Sequence, residues 1–369
     1  MIKIKLNVNK RKDIIGALFI ALLLLSSNML LLFQEQLGTT LPYKVGIVII
    51  GIFSLLYFKA KVYAKNVLII SVILIFFSAS SLLAYNSYLS VYFEAFLSYG
   101  LCGLMYSFCR SKTQYILNTC WIMGMLWFCL YVLKNPQVLN DSFSFGYLIL
   151  PITVSSFISL TDRNNTKVAR FFAFFAFCFS LYYLTVFGSR GPVVSFILSL
   201  LVMLIPSIKR SKHKTLVLIV YVLFVLMFLN YRGIISIIHE AFPGKFSFIE
   251  KSYYLEQTAS GISNGRFSIL SEFFSKYNIT NFVFGIGIGK YTADNGTYSH
   301  NLFTSLLVET GLIGFVFMIC MIVKFVKIVL KNNDKLLIFL FSISIIPLMF
   351  SNIFWTSITF WIFVFFISN

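Results

Sequence analysis

Apolar stretches alternate with short polar or basic connectors along most of the chain, at 14–33, 45–58, 67–85, 88–109, 115–133, 143–160, 169–187, 191–206, 214–230, 301–323, 336–350 and 354–367. Each predicts a membrane-spanning helix, because a hydrocarbon core about 30 Å thick takes roughly 20 helical residues. The second, eighth and last two stretches are short, which tilt and local mismatch accommodate. One long polar break, 231–300, interrupts the series. The predicted fold class is therefore an all-α integral membrane protein of about twelve spans with one long outer loop carrying short helices. Its expected parts are an N-terminal bundle of about nine spans (1–230), a loop on the non-cytoplasmic side (231–300) and a C-terminal bundle of about three spans (301–369). The basic segment Met1–Asp13 followed by the run 14–33 has the outline of a signal peptide. The run is too long for one, lacks an Ala-x-Ala site and is followed by further spans, so it reads as a first helix that stays.

Composition agrees, with 59% hydrophobic and 11% charged residues, where soluble domains hold about 25% charged. Orientation comes from where the cations fall. With the N-terminus in the cytoplasm, the inside connectors hold 21 of the 30 Lys and Arg residues, and the short outside loops hold only Lys44, Lys134 and Arg190. The formal charge of +18 is thus an orientation signal, and the nucleic-acid partner that so basic a chain would otherwise suggest is not expected. The expected location is a bacterial cytoplasmic (inner) membrane, with both termini cytoplasmic. The cysteines (Cys102, Cys109, Cys120, Cys129, Cys178, Cys320) all lie in apolar runs without a Cys-x-x-Cys pair. They read as small buried hydrophobes, and neither a disulfide framework nor a structural zinc site is expected.

Ionisable groups inside spans are costly and become functional candidates. Glu94 lies roughly 9 Å and Glu309 roughly 12 Å from the outer ends of their helices, at 1.5 Å per residue. A carboxylate paired for packing is the alternative for each. Arg190 sits in Gly188-Ser189-Arg190-Gly191-Pro192, a turn too short to leave the membrane surface. It reads either as a snorkelling interfacial cation or as a ligand contact, with the flanking glycines allowing close approach.

In the long loop, Phe267, Leu270, Phe274 and Tyr277 follow Arg266 at helical spacing and predict an amphipathic helix on the membrane surface. Ile234 to Phe242 predicts a second. Gly285-Ile286-Gly287-Ile288-Gly289 lacks the βαβ context of a dinucleotide fingerprint and reads as a tight turn near a bulky ligand. Ser299 or Asn301 can cap the following helix. His300 then sits at a helix start, where the dipole disfavours imidazolium and leaves either a neutral general base or an interfacial residue. His213 and His239 read as solvated.

Arg190, Arg266 and His300 all belong to the outer face, with Glu94 and Glu309 just beneath. Two guanidinium groups suit a diphosphate, and a base beside them suggests transfer from a lipid diphosphate to a hydroxyl. There is no Asp-x-Asp or Glu-x-Asp pair, so no metal is implied and arginines would stabilise the leaving group.

These residues resemble the O-antigen polymerase and O-antigen ligase superfamily of bacterial envelopes. The resemblance is carried by Ser189-Arg190-Gly191, by Gly265-Arg266 followed by the turn at 285–289, and by His300-Asn301 preceding Gly311 and Gly314. It implies a metal-independent GT-C type glycosyltransferase that needs no cofactor and inverts the anomeric carbon. Its substrates would be glycans on undecaprenyl diphosphate in a membrane lipid environment, and a chain-length regulator and a flippase would be its partners. By the family's pattern Arg190 and Arg266 hold the diphosphate and His300 activates the acceptor. The expected binding set is Arg190, Arg266, Asn301, Gly287, Gly289, Glu309 and Glu94. Polymerases are the more numerous branch, so joining of repeat units into O-antigen or capsular polysaccharide is the first expectation, and ligation to lipid A–core the second. A transporter or flippase is a third reading, although it should hold its ionisable groups near the midplane. Specificity is expected from aromatics such as Tyr253, Tyr254 and Tyr291.

Overall fold

The computed structural model describes residues 8–25, 41–58, 64–108, 111–134, 142–210, 230–256, 278–296, 298–299, 301–350 and 353–368, with isolated positions between 215 and 275. Among these residues all regular structure is helical. The order is α1 (Val8–Leu24), α2 (Leu41–Phe58), α3 (Ala64–Leu83), α4 (Ser87–Ala95), a π turn (Phe96–Gly100), α5 (Leu101–Ser107), α6 (Thr113–Lys134), α7 (Ser142–Thr161), α8 (Lys167–Val186) and α9 (Arg190–Arg210). Then come α10 (Tyr231–Ala241), α11 (Ser247–Glu256), α12 (Ile279–Phe284), α13 (Lys290–Asn295), α14 (Leu302–Asn332), α15 (Lys335–Ile343), α16 (Ile345–Leu348), a 3-10 turn (Phe354–Thr356) and α17 (Ile358–Ser368).

Helices α3, α6, α8 and α14 are long and apolar enough to cross a membrane, and 44–57, 145–161, 190–204, Lys335–Leu348 and Ile358–Ser368 are shorter apolar helices. Large apolar side chains cover outward faces, among them Phe171, Phe172, Phe174 and Phe175 of α8, a surface suited to hydrocarbon. The chain is a helical membrane protein. The expected spans 14–33 and 214–230 extend outside the described residues.

Several elements depart from the simple alternation. The span expected at 301–323 runs on to Asn332 and is kinked at Gly311; the segment after the kink, 312–332, is roughly 32 Å long at the helical rise. Lys324, Lys327 and Lys331 therefore ride on the helix, which lysine's helix-forming propensity favours; Lys331, in the last turn, also meets the favourable C-terminal dipole. Asn333 in the left-handed conformation ends it, and Asp334 caps α15 by accepting from the Leu336 and Leu337 amides. The span expected at 336–350 is broken at Ser344; Pro347, which has no N–H to give to the preceding turn, follows. The span expected at 88–109 contains the π turn, in which the Phe96 ring leans over Gly100.

Nearly every residue of α15 and α17 is buried, as expected of helices that are apolar almost all round. They form the centre of the bundle. Gly103 lets α5 press directly on the backbone of α17, since an added Cβ would lie 2.9 Å from the Ile362 nitrogen. Polar contacts then join the elements at one end. Lys335 pairs with Asp162 at 2.8 Å, and Asn165 accepts from Gln114 at 2.6 Å and Asn118 at 3.0 Å. Ser111 donates to the Asp13 carbonyl at 2.5 Å. The opposite end carries the features below.

Candidate functional site

Helix α14 is where two sequence motifs meet. Asn301 caps it, its side-chain oxygen accepting from the Phe303 and Thr304 amides at 2.9 and 3.2 Å. Gly311, at φ 67° and ψ −164°, then breaks the helical path. That break leaves the Val308 and Glu309 carbonyls available to the loop. Ile286 donates to Val308 at 2.8 Å and Gly287 donates to Glu309 at 3.3 Å. The crossing is backbone on backbone: a Cβ at Gly285 would strike the Glu309 carbonyl, and one at Gly311 would strike the Val283 carbonyl. The 285–289 turn is therefore docked into the kink of α14. The close approach at Gly285 is made by the chain's own backbone, and that at Gly289 by Tyr88 and Asn86.

The turn is held from its other side too. Ile288, fully buried, donates its amide to Ser80 Oγ at 3.1 Å and accepts from Asn86 Nδ2 at 2.9 Å. Asn86 also caps α4 through the Tyr88 and Leu89 amides. Gly289 lies so close to Tyr88 that a Cβ would meet the Tyr88 Cβ at 2.7 Å.

Glu309 is buried beneath this turn. Its carboxylate accepts from Trp355 Nε1 at 2.7 Å. The Tyr92 hydroxyl, 3.4 Å from Thr292 Oγ1, is within electrostatic reach of it. Trp355 is seated by Phe77 and Phe354 at ring separations of 4.9 and 4.5 Å, and its carbonyl accepts from Trp361 Nε1 at 3.1 Å.

A third motif arrives nearby. Arg190 begins α9 and is half-buried. Gly191 is approached by the Tyr147 hydroxyl of α7 and by Phe350, and Ser189 Oγ is buried without a hydrogen-bond partner. One residue away, Asn301 Nδ2 donates to the Met349 carbonyl at 2.9 Å. The starts of α9 and α14 therefore converge on Met349–Phe350. A helix start carries positive dipole charge, and two such starts with an arginine form an environment suited to an anion.

Other expectations resolve differently. Glu94 pairs with Lys44 at 2.6 Å, and its side chain is 60% exposed, so the packing alternative fits its surroundings. Lys44 lies in α2 and not in a loop. His239 is not solvated: Nδ1 lies 3.0 Å from Glu250 Oε1, and its ring stacks on Tyr253 at 3.9 Å. Tyr253 therefore packs within the α10–α11 hairpin. Tyr291 is buried with Ile286 and Val308, whereas Tyr254 is exposed. Ser299 does not cap α14; its hydroxyl meets Ser305 Oγ. Cys102 and Cys120 are buried as expected, but Cys129, Cys178 and Cys320 are exposed, because their apolar runs present them outward. Helix α10 occupies the place expected for the second surface helix. Arg266, His300, Cys109, His213 and most of the expected 266–277 helix lie outside the described residues.

The sequence reading did not single out Trp355, Asn86, Tyr92 or Thr292. Asn86 stands between two apolar runs and carries a capping signature. Nothing distinguishes Trp355 from the other aromatics of its run.

Residues 173–319 match the family model described as O-antigen ligase. No curated protein matches the chain.

Proposed function

We propose that this chain, whose residues 173–319 match the family model described as O-antigen ligase, is a membrane glycosyltransferase of the O-antigen polymerase and ligase superfamily acting on undecaprenyl-diphosphate-linked glycans. In the preferred reading it is a GT-C type polymerase of about twelve spans. An acceptor sugar hydroxyl attacks the anomeric carbon of the donor glycan. The bond from that carbon to the diphosphate oxygen breaks, and undecaprenyl diphosphate departs with the electron pair. His300 takes the hydroxyl proton; Arg190 and Arg266 hold the diphosphate and stabilise its growing charge. No metal or cofactor enters this scheme.

The observation that carries the reading is the convergence of two helix starts, Arg190–Gly191 beside Phe350 and Asn301 bonded to Met349. The Lys/Arg asymmetry supports placing this end on the outer side, with both termini cytoplasmic and 231–300 as the outer loop between two bundles. The polar ties at the opposite end, Lys335–Asp162 and Gln114–Asn165, join helices there and favour a site that opens to one side over a transporter.

The ligase reading has one specific observation in its favour, the description of the matched family. The surface polysaccharide of a deletion strain separates the two. Loss of a polymerase leaves core bearing a single repeat; loss of a ligase leaves bare core and accumulated lipid-linked glycan. The second pattern overturns the polymerase reading.

A further inference from the structure

We propose that Asn86 is a positioning residue for the transfer site: it ties the 285–289 turn to the N-terminal helices and so fixes the pose of the first segment of α14, residues 302–310. This rests on the glycosyltransferase reading, which uses the start of that helix. Asn86 lies between α3 and α4, and its side chain is engaged on both sides of the amide. Its Oδ1 accepts from the Tyr88 and Leu89 amides at 3.0 and 2.9 Å. Its Nδ2 donates to the Ala84 carbonyl at 3.1 Å and, across 202 positions of sequence, to the Ile288 carbonyl at 2.9 Å. Capping alone does not ask for this residue, because Asp and Ser cap as well. A side-chain amide accepts on one atom and donates to two carbonyls from the other, which neither Asp nor Ser does.

The turn is gripped from two sides. On one side Ile286 and Gly287 donate to the Val308 and Glu309 carbonyls, at the end of the first segment of α14. On the other, Ile288 donates to Ser80 Oγ of α3 and accepts from Asn86. Gly289 packs so closely that a Cβ there would meet Asn86 Oδ1 at 3.0 Å and Tyr88 Cβ at 2.7 Å. Helix α13 extends the contact, its Thr292 Oγ1 lying 3.4 Å from the Tyr92 hydroxyl of α4. The first segment of α14, roughly 13 Å long at the helical rise, runs as a rigid rod from this joint to Asn301. Asn301 is bonded to Met349, next to the Phe350 that approaches Gly191. A shift of the joint is therefore carried to the place where the two helix starts converge. Ser80 and Asn86 both precede the family-matched residues 173–319, so the support for the matched region comes from outside it. Asn86 acts through backbone placement and touches no reacting atom.

The test uses the full chain in lipid nanodiscs and separates the tie from the cap. Asn86→Asp keeps the cap and removes the donor to Ile288; Asn86→Ala removes both. The first readout is hydrogen exchange, which needs no activity. The Ile286, Gly287 and Ile288 amides should exchange at least about fivefold faster in both variants, the worth of one hydrogen bond. The Tyr88 and Leu89 amides should speed up in Asn86→Ala alone, and those of α6 and α7 in neither. The second readout is transfer kinetics with a lipid-diphosphate glycan. A misplacement of about 1 Å costs up to about 100-fold in rate, so kcat should fall about tenfold or more, equally in Asp and Ala. KM for the donor should hold, because Arg190 stands on α9 and is not moved. Where Asn86→Asp fails to accumulate, Ser80→Ala carries the test: it frees the Ile288 amide from the same side, leaves the cap intact, and should give the same exchange and the same loss of kcat. Wild-type exchange at Ile286–Ile288, an undiminished kcat, or a loss confined to donor KM in the variant that carries the test overturns the positioning role and leaves Asn86 a helix cap. A wild-type chain that transfers no glycan sinks the glycosyltransferase reading instead, while the exchange result still decides whether the tie exists.

Discussion

The docking of the 285–289 turn into the α14 kink makes a quantitative claim about glycine. Gly285 (φ 82°, ψ 176°) and Gly311 (φ 67°, ψ −164°) occupy backbone conformations that are essentially closed to other residues. Gly296 (φ 68°, ψ −1°) is in the ordinary left-handed region, with open space where a Cβ would sit. Replacing Gly296 by Ala should cost only the left-handed penalty, about 1–2 kcal/mol. Replacing Gly311 by Ala should cost up to about 3 kcal/mol of backbone strain. In addition, the new methyl would meet Val283 and the Gly285 nitrogen, the latter at 2.5 Å. Those are backbone atoms, which cannot swing aside, so the crossing must open. The bonds Ile286 to Val308 and Gly287 to Glu309 would then be lost, at about 1 kcal/mol each. The sum is about 4–5 kcal/mol, a large share of the 5–15 kcal/mol that typically holds a fold together. Apparent Tm, read from the monodisperse fraction left after heating in detergent, should drop by about 5–6 °C in Gly311→Ala and Gly285→Ala, and by about 1–3 °C in Gly296→Ala. If Gly311→Ala and Gly296→Ala melt together, the crossing does not exist as described.

Arg190→Ala, Arg266→Ala and His300→Ala should each abolish chain growth while the protein still inserts, as judged by membrane fractionation and a polysaccharide gel; full-length product from both Arg266→Ala and His300→Ala would remove the assigned site. Arg190→Lys should fail as well, because an ammonium cannot make the bidentate phosphate contact. Lys335→Met strands the Asp162 carboxylate, whose side chain is only 7% exposed, and should cost about 2–3 kcal/mol. Adding Asp162→Asn should restore part of the lost Tm, and no recovery would mean that the pair is not coupled. Glu94→Gln should keep full-length polysaccharide, since its ion pair with Lys44 is on an exposed face; short product would assign Glu94 to the binding set.

Helix existence was legible wherever an apolar run was long, because in hydrocarbon the backbone must satisfy itself and a helix is the local way to do so. What hydropathy could not report was where those helices break. Gly311 and the π turn after Ala95 sit in runs as apolar as any other, and hydropathy has no term for backbone conformation. The cap at Asn301 was legible because capping is local chemistry. The fate of Glu309 was not, since its partner Trp355 lies 46 positions away in a run of similar aromatics. His239 was misread for the same reason: its pairing with Glu250 and Tyr253 depends on α10 and α11 folding back on each other. Glu94 looked like Glu309 in the sequence, and only packing separates the outward-facing carboxylate from the buried one.

The spacing from Asn301 to Gly311 acquires a physical meaning from this difference. Asn301 sets where α14 begins, and Gly311 sets where its first segment ends. The glycine turn must dock at that end, because only there do the Val308 and Glu309 carbonyls face the loop. A one-residue insertion between the two positions would rotate Glu309 by about 100° around the helix, away from Trp355. The glycine-rich turn and the stretch from Asn301 to Gly311 are therefore two halves of one joint. Either half should fail when the other is displaced. An insertion after Leu306 should abolish chain growth as completely as His300→Ala does, although it leaves every residue of the proposed chemistry in place. Full-length polysaccharide from that insertion would show that the helix start, without the joint, is enough to hold the site.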